Sequence, residues 1–588
     1  MESIEELAQR WLSLDQDSTT RNEIETLLRE KNEAELEKRL RKRIAFGTAG
    51  LRGPMKAGFA CMNSLTVLQA SHGLANYILK TRKTPSRGAA KKPSVVIEHD
   101  SRHNSIKFAN LAIAAFLEKG FAIYGSFTPV HTPVVPWSVR QYEADAGVMI
   151  TASHNPKDDN GYKVYWNNGC QIIPPHDAGI AAEIEKVGSI DSWVCPDLDD
   201  HEDVHDMCET NNQYYSERIR SLVSFLSSSS SAEPEQILPC VYTPLHGVGS
   251  WAIEFMLGRS YSEALQPVPT QAKPDPDFPT IPFPNPEEKG ALDLAKQEAN
   301  KLGLKLILAN DPDADRFAAA ELLENGDWHQ FTGNQMGIML ASFMFEMHQG
   351  PRDKLAMLTT TVSSRMLAAM AKKEGFHFQE TLTGFKWLGN IAQDLNRAGY
   401  QPIYAFEEAI GYMFPIVCWD KDGVAAAAVF LKACGHWKKQ GLTPYTKLQA
   451  LYQKYGYFED ANTYLISPSP ETTNKVFNDV RRLNKGSRPE TVGSRTISRW
   501  RDLTTGYDTA TPDNEPELPI DASAQMITCE LGDVVFTARG SGTEPKIKLY
   551  IEAQAKTSEE AKGMADEVLR DLLREWFRAE YGLKLAGT

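Results

Sequence analysis

The stretch Thr151-Ala152-Ser153-His154-Asn155-Pro156-Lys157-Asp158-Asp159-Asn160-Gly161-Tyr162-Lys163 follows a short apolar run, Ala146-Gly147-Val148-Met149-Ile150. That run is too short and too Val/Ile-like for a helix and reads as a buried strand. Ser153 then stands just past a strand end, where open α/β sheets place their ligands. A hydroxyl followed by His154, Asn155, Asp158, Asp159 and Lys163 is well placed for chemistry. The same residues, closed by Asn160-Gly161, would also make an ordinary polar turn. The rest of the chain decides between the two.

Working outward, the same arrangement recurs. A helical pattern over Leu65 to Leu79 precedes the strand Val95-Val96-Ile97, which ends in Glu98-His99-Asp100-Ser101-Arg102, and helix and strand alternate to Ile150. Such alternation signals βαβ units and a largely parallel sheet. A second unit starts after the serine-rich break 227–235, with a strand over Ile237 to Tyr242. A third starts at Leu355-Ala356-Met357-Leu358. Three apolar strands each empty into a polar loop: the Ser153 loop, Leu306-Ile307-Leu308-Ala309 before Asn310-Asp311, and Pro402-Ile403-Tyr404-Ala405 before Phe406-Glu407-Glu408. This reads as a diverged internal repeat of three α/β domains, each offering one loop to a shared cleft.

The flanks differ. From Asn22 to Ile44 the spacing of Ile24, Leu27, Leu28, Leu36, Leu40 and Ile44 predicts one amphipathic helix in an N-terminal extension. Beyond Tyr457 a fourth, α+β unit closes the chain, and 502–521 looks like an insertion or long loop with no functional reading. Its last helix opens on a capping box, Thr557 to Glu560, and lines Ala561, Met564, Ala565, Val568, Leu569, Leu572 and Trp576 along one face. The expected divisions are 1–42 for the extension, 43–212 with the serine loop, 213–333, 334–456 and 457–588.

At 588 residues the chain is too long for one core, and a net charge of −14 repels nucleic acid and acidic membrane surfaces. No apolar run reaches membrane-spanning length, and the N-terminus has no leader pattern, so a cytoplasmic protein is expected. Eight cysteines without any Cys-x-x-Cys argue against a zinc site or a disulfide framework.

Asp311-Pro312-Asp313-Ala314-Asp315-Arg316 places three carboxylates at alternating positions, where they can converge on one hard cation. An EF-hand would need Gly and Glu where Arg316 and Leu322 stand. Mg²⁺ suits the set better than Ca²⁺, because few protein ligands leave room for waters and a phosphate oxygen. Arg539-Gly540-Ser541-Gly542-Thr543-Glu544-Pro545-Lys546, between two β-like runs, has the composition of a phosphate cradle: freed backbone N–H groups, hydroxyls and two cations. It is not a P-loop, since Gly-Lys occurs nowhere in the chain. Glu407 and Glu408 at a strand end can accept hydrogen bonds from vicinal hydroxyls of a sugar. Thr383-Gly384-Phe385-Lys386-Trp387 adds a lysine between aromatics, and Phe46-Gly47-Thr48-Ala49-Gly50-Leu51-Arg52 sets an arginine among glycines. Together these parts describe phosphoryl transfer on a phosphorylated sugar.

The four loops at Thr151 to Lys163, Asp311 to Arg316, Phe406 to Gly411 and Arg539 to Lys546 resemble, in order, the signature loops of the α-D-phosphohexomutase superfamily. The likeness covers about residues 40 to 588. Phe46 to Arg52, Glu407 to Ile410 and the Arg539 loop are most similar to its phosphoglucomutase-2 and phosphopentomutase branch. The resemblance implies four domains around one cleft, with Ser153 phosphorylated in the active form. It implies Mg²⁺ on Asp311, Asp313, Asp315 and the Ser153 phosphoryl group. Lys163 and Arg52 match positions near the transferring phosphoryl group, and His154 positions the loop. Arg316, Thr383, Gly384, Lys386, Glu407, Ala409, Arg539, Ser541, Gly542, Thr543 and Lys546 fall to the substrate. The implied activity moves a phosphoryl group between C1 and the terminal hydroxyl of glucose, ribose or deoxyribose monophosphates through a bisphosphorylated intermediate. Glucose 1,6-bisphosphate or ribose 1,5-bisphosphate would act as primer, and a monomer is expected.

One departure matters: familiar phosphoglucomutases read Gly-Glu-Glu-Ser in the sugar loop, whereas Phe406-Glu407-Glu408-Ala409 lacks that hydroxyl, which tilts the expectation toward pentoses. Rival readings are a glucose-1,6-bisphosphate synthase using an acyl phosphate donor, a Mg²⁺-dependent phosphohydrolase, and a non-catalytic binding protein. The last would be expected to lack the nucleophile or an aspartate, and the chain keeps all of them.

Overall fold

A computed structural model describes the chain except residues 1, 48–49, 83–90, 192, 199–200, 227–236, 258–262, 541–545 and 587–588, and the side chains of 256–257. It divides into two compact units: Met1–Leu358 with Gly384–Tyr445, and Thr359–Thr383 with Thr446–Thr588. No helix among the described residues is long and apolar enough to cross a membrane.

The first unit begins with three helices, Ile4–Leu14, Ser18–Arg29 and Glu33–Leu40. The single helix expected from Asn22 to Ile44 is broken, because Lys31 turns left-handed at φ 53° and Asn32 caps a new helix by accepting from the Glu35 N–H. An Asn followed by acidic residues is a start signal that outweighs the continuing apolar period. Trp11, Ile24, Leu36 and Leu40 join the core built by Val95, Ile97, Val148 and Ile150. The extension is therefore part of the first domain's core.

The first sheet runs in the order Leu51–Pro54, Asp159–Trp166, Ala146–Ile150, Ser94–His99, Ala122–Gly125, Val204–Asp206. Its interior pairs are parallel, and Asp159–Trp166 returns antiparallel against Ala146–Ile150. Ser94–His99 and Ala146–Ile150 are buried along their whole length, which is why Val95-Val96-Ile97 and Ala146–Ile150 read as unbroken apolar runs rather than alternating ones.

In the second sheet Leu306–Asn310 lies parallel to Cys240–Thr243 and antiparallel to Phe317–Leu322. In the third, Gln401–Glu407 pairs antiparallel with Gly411–Met413. All three polar loops thus connect a strand to its antiparallel return. Each also contains one non-glycine residue forced to positive φ: Ser153 at 55°, Ala314 at 50° and Ile410 at 52°. Such a residue costs about 1–2 kcal/mol. Strain repeated at equivalent places is the structural trace of the repeat, and it lies at the loops that carry the polar residues.

The second unit is α+β. Its sheet runs Tyr507–Asp508, Arg499–Asp502, Met526–Leu531, Val534–Gly540, Lys546–Ala555, Thr463–Ile466, Lys584–Leu585, with Tyr457–Asp460 also pairing with Lys546–Ala555. Helices Pro470–Val480 and Ser558–Glu575 cover it through Phe477, Val568 and Leu572, with Trp576 just past the end of the second. Thr557 accepts from the Glu560 N–H at 3.2 Å at the start of the last helix. The 502–521 stretch is anchored: Asp502 accepts from Arg481 at 2.6 Å, Asp508 from Arg499 at 2.7 Å, and Leu518 packs with Val362, Leu503 and Met526.

Glu98 sits fully buried at the end of its strand, accepting from the Ser126 N–H at 2.9 Å and hydroxyl at 3.2 Å. Burial pushes its carboxyl up to about 8 from an ordinary 4.5. Between those values the folded chain binds more protons than the unfolded one, so this group's contribution to stability falls as pH rises. Glu98→Gln removes the titration and keeps the acceptor. The difference in Tm between variant and wild type is expected to grow in the variant's favour from pH 5 to pH 8.5. A difference independent of pH would contradict the assignment.

Candidate active site

The Ser153 loop is held at both ends of the strained residue. The Ser153 N–H donates to Thr151 Oγ1 at 2.9 Å, and that hydroxyl donates to Asp100 Oδ2 at 2.6 Å. The Ser153 carbonyl accepts from the Arg102 guanidinium. So fixed, Ser153 Oγ donates to Asp311 Oδ2 at 2.8 Å, with His154 Nδ1 at 3.2 Å. His154 is held neutral: burial, then Arg316 and Arg52, press its imidazole well below the usual range. Arg52 lies on Leu51–Pro54, open to solvent, with Nη1 at 3.3 Å from Asn155 Oδ1. Its neighbours 48–49 lie outside the described residues.

The aspartate loop is gripped from three separate segments of the first unit. The Thr132 N–H donates to the Asp313 carbonyl at 2.9 Å, Val248 to Pro312 at 2.9 Å, and Gly423 to Ala314 at 3.2 Å. Gly423 must be glycine for this approach, since a Cβ there would lie 2.3 Å from the Arg316 carbonyl. The loop folds onto itself as well, with the Arg316 N–H donating to Asp311 Oδ1 at 3.0 Å.

Asp311, Asp313 and Asp315 are buried, and each offers one oxygen within 4.8 Å of the others. Lys163, projecting from Asp159–Trp166, donates to Asp313 Oδ2 at 2.7 Å and Asp315 Oδ2 at 2.9 Å. Lys421 lies 3.2 Å from Asp315 Oδ2, and Thr132 donates its hydroxyl to Asp313 Oδ2 at 2.6 Å. Two lysines do not exhaust the cluster: Asp313 Oδ1 and Asp315 Oδ1 are buried and have no hydrogen-bond partner among the described residues. Burial and then its two fellow aspartates push Asp311 well above the usual carboxylate range. Asp313 is pulled the other way: Lys163 and Thr132 outweigh burial. Carboxylates this close, with vacant lone pairs, fit a hard divalent cation held by few protein ligands.

The acidic loop meets this cluster. Arg316 Nη1 donates to the Ala409 carbonyl at 3.2 Å, and the Phe317 N–H donates to Ile410 O at 3.1 Å. Burial would weaken the charge on Arg316, but Asp315, Asp311, Glu407 and Glu287 outweigh it and raise its pKa. Glu407 is pushed up to about 7, chiefly by burial, with Lys421 opposing and Glu408 reinforcing. A neutral Glu407 can donate to a sugar oxygen as well as accept from a hydroxyl.

Thus Ser153, His154, Lys163, Arg52, Asp311, Asp313, Asp315, Arg316, Glu407 and Ala409 all belong to the first unit. Gly384, at φ 99°, starts the helix Phe385–Arg397, and Lys386 Nζ lies 5.7 Å from the Trp387 ring. Thr383 belongs to the second unit. There Arg539 sits in a strand opposite Met526 and Lys548, and Lys546 lies over Tyr464 at 5.0 Å. Ser541, Gly542 and Thr543 lie outside the described residues.

Lys421 and Thr132 are among the groups that the sequence did not single out. Lys421 has a local signal, Asp420-Lys421-Asp422-Gly423, in which Asp422 caps the helix Gly423–Lys439 by accepting from Val424 at 3.0 Å and Ala425 at 2.8 Å. A capped helix start aims the preceding residue at whatever faces it. Thr132 has no local signal, because its partner is 181 residues away.

Models of the phosphoglucomutase/phosphomannomutase α/β/α domains I, II and III match residues 43–191, 213–323 and 332–455. The chain is 45% identical to a protein named probable phosphoribomutase from Schizosaccharomyces pombe, covering 98% of each. It is 38% identical to the human glucose 1,6-bisphosphate synthase, over 96% of this chain and 92% of that one. The open form of parafusin, a phosphoglucomutase from Paramecium, superposes with a TM-score of 0.64 at 18% identity, covering 91% of this chain and 95% of that one. With three family domains in order and near-complete alignment to its relatives, the chain belongs to the phosphoglucomutase/phosphomannomutase family of the α-D-phosphohexomutase superfamily.

Proposed function

We propose that the chain moves a phosphoryl group between C1 and the terminal hydroxyl of glucose, ribose or deoxyribose monophosphates, as a pentose-capable mutase working through a phosphoserine at Ser153. The observation that carries this reading is the contact of Ser153 Oγ with Asp311 Oδ2 at 2.8 Å, beside a buried three-carboxylate cluster with two unfilled oxygens. A nucleophilic hydroxyl next to a hard-cation site is the arrangement phosphoryl transfer needs.

In this reading Asp311, Asp313 and Asp315 would hold Mg²⁺, which would supply positive charge against the phosphoryl group. Phosphorylated Ser153 gives its phosphoryl group to a free hydroxyl of the sugar monophosphate, making a bisphosphorylated sugar. That sugar turns over, and its other phosphate rephosphorylates Ser153 as the isomer leaves. Lys163 and Arg52 stabilise the charge that moves between oxygens. Neutral His154 holds the serine loop. Arg316, Glu407 and Ala409, with Gly384 and Lys386, form the sugar side. The phosphate that is not being transferred falls to Arg539, Ser541, Gly542, Thr543 and Lys546, and Thr383 is a further substrate-binding residue. The substrate is a small phosphosugar, the primer glucose 1,6-bisphosphate or ribose 1,5-bisphosphate, and the protein a cytoplasmic monomer.

The test is kcat/KM for ribose 1-phosphate against glucose 1-phosphate, with Mg²⁺ and a trace of bisphosphate primer. A ratio well above one supports the pentose reading, and one well below it makes the enzyme a phosphoglucomutase. The similarity to the human bisphosphate synthase favours a second reading, in which the intermediate is released. It would show as bisphosphate formation that requires an acyl phosphate donor, with neither sugar isomerised.

Ala409 supplies the specificity lever. Ala409→Ser restores one hydroxyl, and a net hydrogen bond of about 0.5–1.5 kcal/mol should move the ratio toward glucose roughly two- to tenfold. An unchanged ratio would remove Ala409 from the account.

A further inference from the structure

The segment Glu98-His99-Asp100-Ser101-Arg102 ends a strand of the first sheet and reaches the nucleophile loop from behind, through Asp100 and Arg102. The geometry points to Arg102 as the positioning residue that holds the nucleophile loop in its reactive shape. This rests on Ser153 being the nucleophile, as argued above.

Arg102 is 4% exposed, and its guanidinium faces backbone. Nη1 donates to the Pro156 carbonyl at 2.9 Å and lies 3.4 Å from that of Asp159, while Nη2 donates to Asn155 at 2.7 Å and to Ser153. Four carbonyls of one loop thus converge on one cation. Without it their negative ends would be buried facing one another, and the loop would open. Arginine suits the task because its flat fork presents several donors in one plane, whereas a lysine is a point charge on a flexible stem.

Two further contacts fix that plane. Asp100 lies 3.3 Å from Arg102 Nε and accepts from its own loop through the Arg102 N–H at 3.0 Å and Ser105 Oγ at 2.6 Å. Asp100 also receives the Thr151 hydroxyl that takes the Ser153 N–H. The carbonyl of Ser153, the residue at φ 55°, is thus held by Arg102 directly, and its N–H by Thr151, whose hydroxyl Asp100 fixes. Phe278, from a later segment of the first unit, covers the guanidinium, with its ring centroid 4.9 Å away. The neighbouring Asp277 receives Lys157 at 3.0 Å and His103 Nε2 at 3.2 Å, which pins the cover to the loop.

Arg102 is buried and its guanidinium is taken up by loop carbonyls, so its loss should slow the phosphoryl step without weakening sugar binding. The experiment compares wild type, Arg102→Lys and Phe278→Ala in Tm, kcat, KM and the single-turnover rate at which glucose 1,6-bisphosphate phosphorylates Ser153. Arg102→Lys is expected to remain folded with kcat down 30- to 300-fold, KM within threefold, and phosphorylation of Ser153 slowed by the same factor. Phe278→Ala is expected to lower kcat three- to tenfold. The inference is overturned if folded Arg102→Lys keeps kcat within threefold of wild type, or if the loss lies in KM. It is also overturned if activity per folded molecule is unchanged. Should Arg102→Lys fail to fold, Phe278→Ala decides, and an unchanged kcat there overturns the inference. An inactive wild type would count against the mutase reading itself, which separates the two failures.

Discussion

Replacing Ser153 by glycine is expected to lower kcat by about 10⁴-fold or more, because removal of a nucleophile leaves only binding and electrostatic help. The same change should leave the fold at least as stable. Ser153 is held at φ 55°, where glycine is at ease and serine is strained. That gain offsets the lost hydrogen bond to Asp311. Ser153→Ala keeps the strain and should be equally inactive but somewhat less stable than Ser153→Gly. Thermal melts beside steady-state rates check both halves. A Ser153→Gly enzyme retaining a tenth of wild-type activity would remove the nucleophile from the mechanism.

Asp313→Asn is expected to cost about 10³-fold in kcat, on the scale of several kcal/mol for charge stabilisation by a bound cation. Asp313 Oδ2 accepts from both Lys163 and Thr132 while its Oδ1 has no hydrogen-bond partner among the described residues, so its carboxylate is oriented to offer that oxygen to a cation. A ligand that binds only the folded state raises its stability. Tm of the wild type should therefore rise with added Mg²⁺, and that of Asp313→Asn should rise much less at the same concentration. A wild-type protein whose Tm and rate both ignore Mg²⁺ and chelator would contradict the assignment of the cluster.

The fold was legible where local pattern and burial agree. Ala146–Ile150 and Leu306–Asn310 are short, apolar and buried throughout, and each leads into a loop whose polar residues announce themselves. The pattern failed where a capping residue competed with it, as at Lys31-Asn32. In the site, the three aspartates were visible because they lie two residues apart. The convergence of Ser153 on Asp311 spans 158 residues, and that of Lys163 on Asp313 spans 150. Such contacts have no local signature and come into view in sequence only through the family resemblance. Arg102 was missed for a different reason: its partners are carbonyls, and backbone acceptors leave no mark in a sequence.

The most direct test of the account is the phosphorylation state of one peptide. Incubated with Mg²⁺ and glucose 1,6-bisphosphate, the wild-type protein is expected to carry one phosphoryl group on the tryptic peptide containing Ser153. On addition of ribose 5-phosphate that group should leave the peptide as bisphosphorylated sugar forms. Isomerisation that proceeds at the full rate while Ser153 stays unmodified throughout would contradict it.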